Sequence, residues 1–200
     1  MTVYTLFGQQ ATGSSVADDA NTYSMGMQFT LSESAALTGI WFYSAGSANA
    51  LPAGCAVYHM TGAGAGSIVA GSENDSPSWS GTAGSGWVKC AYGSGPTLTA
   101  SATYKVVILK SGAEFVYSAT SHYWDSGAGA SGLTSGIITA PNNAGGDGGQ
   151  DTFASPSASL TYPDSSFNAT NYWVDVEVTV ASANGYQTGS AVPALISSAL

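Results

Sequence analysis

Asp175 and Glu177 stand two residues apart in the segment 171–180, NYWVDVEVTV. On a strand they share one face, with their carboxyls roughly 6 to 7 Å apart. That separation overlaps the geometry of paired glycosidase carboxyls. Acids at adjacent same-face strand positions project in parallel, however, and leave no cleft between them. One of the pair would also need a pKa raised by burial. The acids are therefore expected to be solvated or to face a partner, together with Trp173 on the same face. Tyr172, Val174, Val176, Val178 and Val180 point the other way and form a core face.

A second concentration of chemistry is His122, Tyr123, Trp124 and Asp125. Aromatic rings that stack on sugars, beside an acid that accepts from hydroxyls, make this cluster a candidate ligand site. Trp79, alone in the polar stretch 71–85, is a second candidate platform. Each aromatic has an alternative role as a plug at the end of the core. Asp147 and Asp151 in GGDGGQD could ligate calcium but lack the D-x-D-x-D-G spacing of a calcium loop. His59 and His122 are the two histidines, and no His/Cys spacing suggests zinc. No G-x-S-x-G elbow precedes a helix. The expectation is a protein without cofactor, metal or catalytic set, hence not an enzyme.

The elements that must position these residues are strands. Residues 24–31 alternate Met25, Met27, Phe29 and Leu31 against smaller or polar neighbours, and 36–43, 54–60, 67–70, 86–92 and 103–110 carry further strand patterns. Residues 113–117 read as the second arm of a hairpin with 103–110, and 4–7 as a first, edge strand. No segment has a helical period, and frequent Gly and β-branched residues weaken helix. About nine strands predict an all-β, antiparallel two-sheet β-sandwich, jelly-roll-like, with long loops at 71–85 and 118–167. Residues 1–180 form the sandwich domain. Residues 181–200 form a linker and an apolar tail, in which Val192, Leu195, Ile196 and Leu200 are expected to dock on a partner or on the domain itself.

Composition narrows the partners. Charged residues are 8 % of the chain, against about 25 % in a typical soluble domain. The cations are three lysines, and the net charge is -9. Nucleic acid is excluded as a partner, because phosphate contacts need a basic surface. No apolar run approaches the roughly 18 residues of a membrane span. The N-terminus, MTVYTLFGQQ, lacks the basic and apolar regions of a signal peptide. Cys55 and Cys90 each fall in an alternating strand pattern, so both read as buried thiols, with a cross-strand disulfide open if their strands are neighbours.

Four stretches, YTLFG, YSMGMQFTLSESAALTGIWFY, GSGWVKCAYGSGPTLTASATYKVVILKS and FNATNYWVDVEVTV, follow one another across about residues 4 to 180. In that order they resemble a bacterial extracellular domain family of unknown function, whose pattern runs through TGIRFYK and GWQ to NYWVDV. The chain departs from it at Trp41 and Ser44, where the family has basic residues, and in VILKS, where the family carries a histidine. The resemblance implies a jelly roll of the carbohydrate-binding-module type. Stand-alone copies with this composition resemble phage virion proteins, either minor tail proteins or capsid decoration. The expected function is therefore a structural virion component, a homo-oligomer among other virion subunits, that contacts host cell-wall glycan. It would be made in the host cytoplasm and released by lysis. The alternative is an extracellular carbohydrate-binding module or adhesin.

Overall fold

The computed structural model describes residues 1–10, 14–62, 64–118, 122–142, 149–154 and 156–181. Val192, Leu195, Ile196, Leu200 and Asp147 lie outside the described residues. Among the described residues there are thirteen strands, and every pairing between them is antiparallel. A five-stranded sheet runs β1 (Thr2–Thr5), β13 (Val174–Val180), β4 (Ala35–Ser44), β6 (Gly86–Ala91), with β7 (Thr97–Leu98) also on β4. A six-stranded sheet runs β10 (Leu133–Ser135), β11 (Ile138–Ala140), β3 (Tyr23–Leu31), β8 (Thr103–Lys110), β5 (Gly54–His59), with β12 (Asp151–Phe153) also on β3. β2 (Ser14–Asp18) and β9 (Glu114–Ser118) form a separate ribbon.

The chain passes from one large sheet to the other at β3–β4, β4–β5, β5–β6, β7–β8 and β12–β13. This repeated crossing is how a jelly roll wraps its two faces. One core lies between the sheets. The valines of β13 meet Ile40 and Phe42 of β4, Val88 of β6, Met27 and Phe29 of β3, and Val106 and Ile108 of β8, all in a single buried cluster. A smaller cluster of Ala56, Tyr58 and Val107 covers the outer face of β5 and β8 with Leu160 and Tyr162.

Three differences from the sequence reading have physical causes. Residues 114–118 do not form a hairpin with β8. Both edges of β8 are taken by β3 and β5, so β9 pairs with β2 instead. Residues 67–70 form no strand and contribute one bridge, Ile68 to Tyr58. Alternation in the last strand starts at Val174, because Trp173 has φ +54° and breaks the extended backbone before it.

Candidate functional site

The outward face of β13 is sealed by the chain itself. Asp175 is fully buried. Its Oδ1 accepts from the N–H of Leu6 at 3.0 Å and of Val176 at 2.7 Å, and its Oδ2 from Phe7 at 2.9 Å. Burial pushes this acid up to about 7, against the pull of the three N–H donors. Glu177 is 7 % exposed. Lys89 Nζ donates to its Oε1 at 2.6 Å, Thr38 to the same oxygen at 3.0 Å, and Trp41 Nε1 to Oε2 at 3.1 Å. Gly39 permits this arrangement, since a Cβ there would stand 2.7 Å from Lys89 Cε and 3.3 Å from Glu177 Cβ. Trp173 is 6 % exposed and meets Phe7 edge-on at 5.4 Å between ring centroids. The expected partner face of Trp173, Asp175 and Glu177 is thus corrected: in this chain those side chains fasten the N-terminal segment and β4–β6. The strand pattern marked an acid as outward, and the covering segment comes from the far end of the sequence.

The cluster 122–125 divides. Trp124 is fully buried, and a Cβ on Gly129 would stand 2.4 Å from its ring, so no ligand can stack on it. Its indole N–H lies near the Asp151 carboxyl without a hydrogen bond of normal geometry. Tyr123 is half-buried, edge-on to Trp124 at 4.9 Å and to Trp173 at 5.4 Å. His122 Nδ1 and Asp125 Oδ2 form an exposed pair at 2.9 Å, which holds the Asp125 carboxyl below its ordinary value. Trp79 is half-buried against the core and donates its indole N–H to the Pro52 carbonyl at 2.9 Å. Trp124 is therefore a plug rather than a platform, and Trp79 keeps one side packed on the core. Asp151 is buried in β12, accepts from the Tyr172 N–H at 2.7 Å, and is raised to about 8 by burial. It is closed to the calcium role weighed for it. Among the described residues no three His, Cys, Asp or Glu side chains gather as a metal site.

Trp124 backs the turn that borders a groove of about 510 Å³. The ribbon contributes Ala17 opposite Phe115, with Tyr117 two residues on along the same face. β3 adds Tyr23 and β12 adds Phe153, whose rings meet edge-on at 6.0 Å and 88°. The turn before β13 adds Phe167, Asn168, Thr170 and Tyr172. Asn168 and Ala169 both have positive φ, at 49° and 48°. The turn is held from behind: His122 N–H donates to Asn168 O at 2.7 Å, and Trp124 N–H to Ala169 O at 3.0 Å. This sharp bend leaves Phe167 61 % exposed at the groove rim.

One acid serves the groove. Asp19 accepts from the Tyr23 hydroxyl at 2.7 Å and from the Asn21 N–H at 2.9 Å. The Tyr23 hydroxyl, more than the backbone donor, holds the Asp19 carboxyl below its ordinary value, so it is an ionised acceptor with lone pairs to spare. The Lys110 ammonium behind it is buried and spends its donors on the carbonyls of Asp19, Asn21 and Gly112. The groove thus offers aromatic faces, an ionised acceptor and a carboxamide. Of its lining, sequence reasoning found none of the aromatic residues as a site. They come from four segments far apart in the chain and make no motif. The one available signal was the excess of Tyr and Phe between 104 and 172.

No curated protein and no solved structure matches the chain. A family model described as a domain of unknown function (DUF4082) matches residues 9–174, which are most of the chain. The span takes in the whole groove and stops one residue short of Asp175. On that match the chain belongs to the DUF4082 family.

Proposed function

We propose that this domain is a non-catalytic glycan-binding module that takes a neutral sugar unit in the groove between the β2–β9 ribbon and the 167–172 turn. The observation that carries this reading is Phe167, a large apolar ring left 61 % exposed at the mouth of an aromatic-lined groove whose polar rim is Asp19 and Asn168. A sugar ring presents C–H faces to aromatic rings and hydroxyls to a carboxylate and a carboxamide. That combination of an apolar cleft with few placed polar groups is the usual form of a small-ligand site. The net charge of -9 disfavours acidic polysaccharides. Hydrolysis is not part of the proposal, because Asp175 and Glu177 are both occupied by internal donors away from the groove. The carrier, a virion or a secreted bacterial protein, is a separate expectation, and the tail residues expected to dock on a partner, Val192, Leu195, Ile196 and Leu200, lie outside those described.

The test is a screen of neutral cell-wall polysaccharides and their oligosaccharides by calorimetry, with Phe167→Ala alongside. Phe167 has little buried surface to lose, so the variant folds. Binding by the wild type and a loss on the order of tenfold or more in the variant are expected, as for truncation of an aromatic anchor. No binding of any neutral glycan at millimolar sugar by the folded protein would overturn the reading.

A further inference from the structure

Cys55 and Cys90 belong to different sheets, yet they meet. Cys55 is on β5, the edge of the six-stranded sheet, and Cys90 on β6, the edge of the five-stranded sheet. The segment between Asn74 and Trp79 crosses from one edge to the other. Asn74 is bridged to Cys55 by two backbone hydrogen bonds of 2.9 Å, and Trp79 is bridged to Cys90. Beneath this strap the side chains converge. Asn74 Nδ2 lies 3.4 Å from Cys90 Sγ, and Tyr92 Oη, two residues along β6 from Cys90, lies 3.6 Å from Cys55 Sγ. Cys55 thus faces β6, and Asn74, hydrogen-bonded through its backbone to Cys55 and through its side chain to Cys90, brings the two thiols to the same gap between the sheets. Both are free and buried.

We propose that Cys55 and Cys90 are a dithiol site that a peroxide oxidises to a disulfide joining the two sheets. Two features assign the order of events. Cys90 accepts from the Asn74 side chain at 3.4 Å, and the neighbouring Cys55 thiol and this donor favour its thiolate and lower its pKa, whereas Cys55 is pushed up by the neighbouring Cys90 and by burial. Both thiols are also buried, so the oxidant must be small, which favours hydrogen peroxide over a bulky disulfide. The Cys90 thiolate attacks one peroxide oxygen. The S–O bond forms, the O–O bond breaks, and hydroxide leaves and takes up the proton that Cys90 released. The Cys55 sulfur then attacks the Cys90 sulfenic acid, the S–S bond forms, and water leaves with the Cys55 proton. Two thiols lose two electrons and two protons, and one peroxide becomes two waters.

The experiment treats the folded full-length chain with hydrogen peroxide, quenches in acid, denatures, alkylates and weighs the products. The expected result is a monomer lighter by two hydrogen atoms, with neither cysteine alkylated and a single peptide pair joined through Cys55 and Cys90. A dithiol that stays fully alkylatable, a Cys90 carried to sulfinic or sulfonic acid, or a bond between two chains would each overturn the proposal. In Cys55→Ser the resolving sulfur is gone, so when the protein is treated with peroxide while folded and then unfolded in the presence of dimedone, Cys90 is expected to carry the label. A folded Cys55→Ser protein without label would overturn the assigned order of attack.

Discussion

At the scale of single residues, the unusual groups are acids that the fold buries. Burial pushes the Asp175 and Asp151 carboxyls up to about 7 and about 8, from an ordinary value of 3.8 for each. Between those limits the folded chain holds protons that the unfolded chain has released. Stability therefore rises as pH falls from about 8 toward about 4, and the gain is absent at higher pH, where both states are ionised. At about 1.4 kcal/mol per unit, Asp175 alone contributes a few kcal/mol to that slope. The expected outcome is a melting temperature that climbs on acidification from pH 8.5 to 5, a range chosen to bracket the two values. Asp175→Asn, which resembles the protonated acid, should show a clearly smaller climb. A wild-type melting temperature that is flat or falls over this range would contradict the assignment. An alternating strand pattern reads polar residues as outward, so Asp175 looked solvated in sequence. Three backbone N–H groups and a buried site are visible only when Leu6 and Phe7 are placed over it.

At the scale of elements, the chain spends its three cations inside. Lys89 pairs with Glu177 across β6, β4 and β13, Lys105 donates to Pro163 O at 2.6 Å over the Tyr162 ring, and Lys110 holds the carbonyls behind Asp19. Each therefore acts as a strap rather than as surface charge. Lys89→Met leaves the Glu177 carboxylate nearly buried with two neutral donors, and a loss of about 1–3 kcal/mol in chemical denaturation is expected. Pairing it with Glu177→Gln should recover part of that loss. A double variant no better than the simple sum would show that the two residues do not couple. Strand identity was largely legible: Thr103–Lys110 appears with the bounds its apolar run suggests, and the valine seam of Val174, Val176 and Val178 is fully buried. Pairing was less so. Nothing local in residues 114–118 tells that β8 has no free edge, so the β2–β9 ribbon, and with it one wall of the groove, was out of reach.

At the scale of the molecule, the two ends of the domain are fastened to each other. β1 pairs with β13, Asp175 holds Leu6 and Phe7, and Phe7 stacks on Trp87 at 6.0 Å and meets Trp173 at 5.4 Å. Removing residues 1–7 takes away an edge strand, an aromatic contact and every long-range partner of a buried carboxyl. A loss of several kcal/mol is expected, well beyond that of an ordinary edge strand, because the truncation removes the β1–β13 ladder, the Phe7 packing on Trp87 and Trp173 and the cover of Asp175 together. A truncated chain that melts within a few degrees of the full one would refute this closure. The all-β architecture followed from alternation and turns. The groove did not, because Phe115, Phe153, Phe167 and Tyr172 become neighbours only through the sheet crossings and the left-handed turn at Asn168 and Ala169. Of the loop aromatics that did stand out, Trp124 is fully buried behind the 167–172 turn, and Trp79 is half-buried and fastened to the Pro52 carbonyl.

The central claim is that this groove, and not the 122–125 loop or the outer face of β13, receives a neutral glycan. The most direct measurement is a titration of the full chain with the best binder of the polysaccharide screen, followed through aromatic side-chain NMR resonances. Saturable shifts at Phe115, Phe153, Phe167 and Tyr172, with Trp79, Trp41 and Trp124 unmoved, are the expected result. Saturable shifts confined to Trp79, Trp41 or His122, with the groove rings silent, would contradict it.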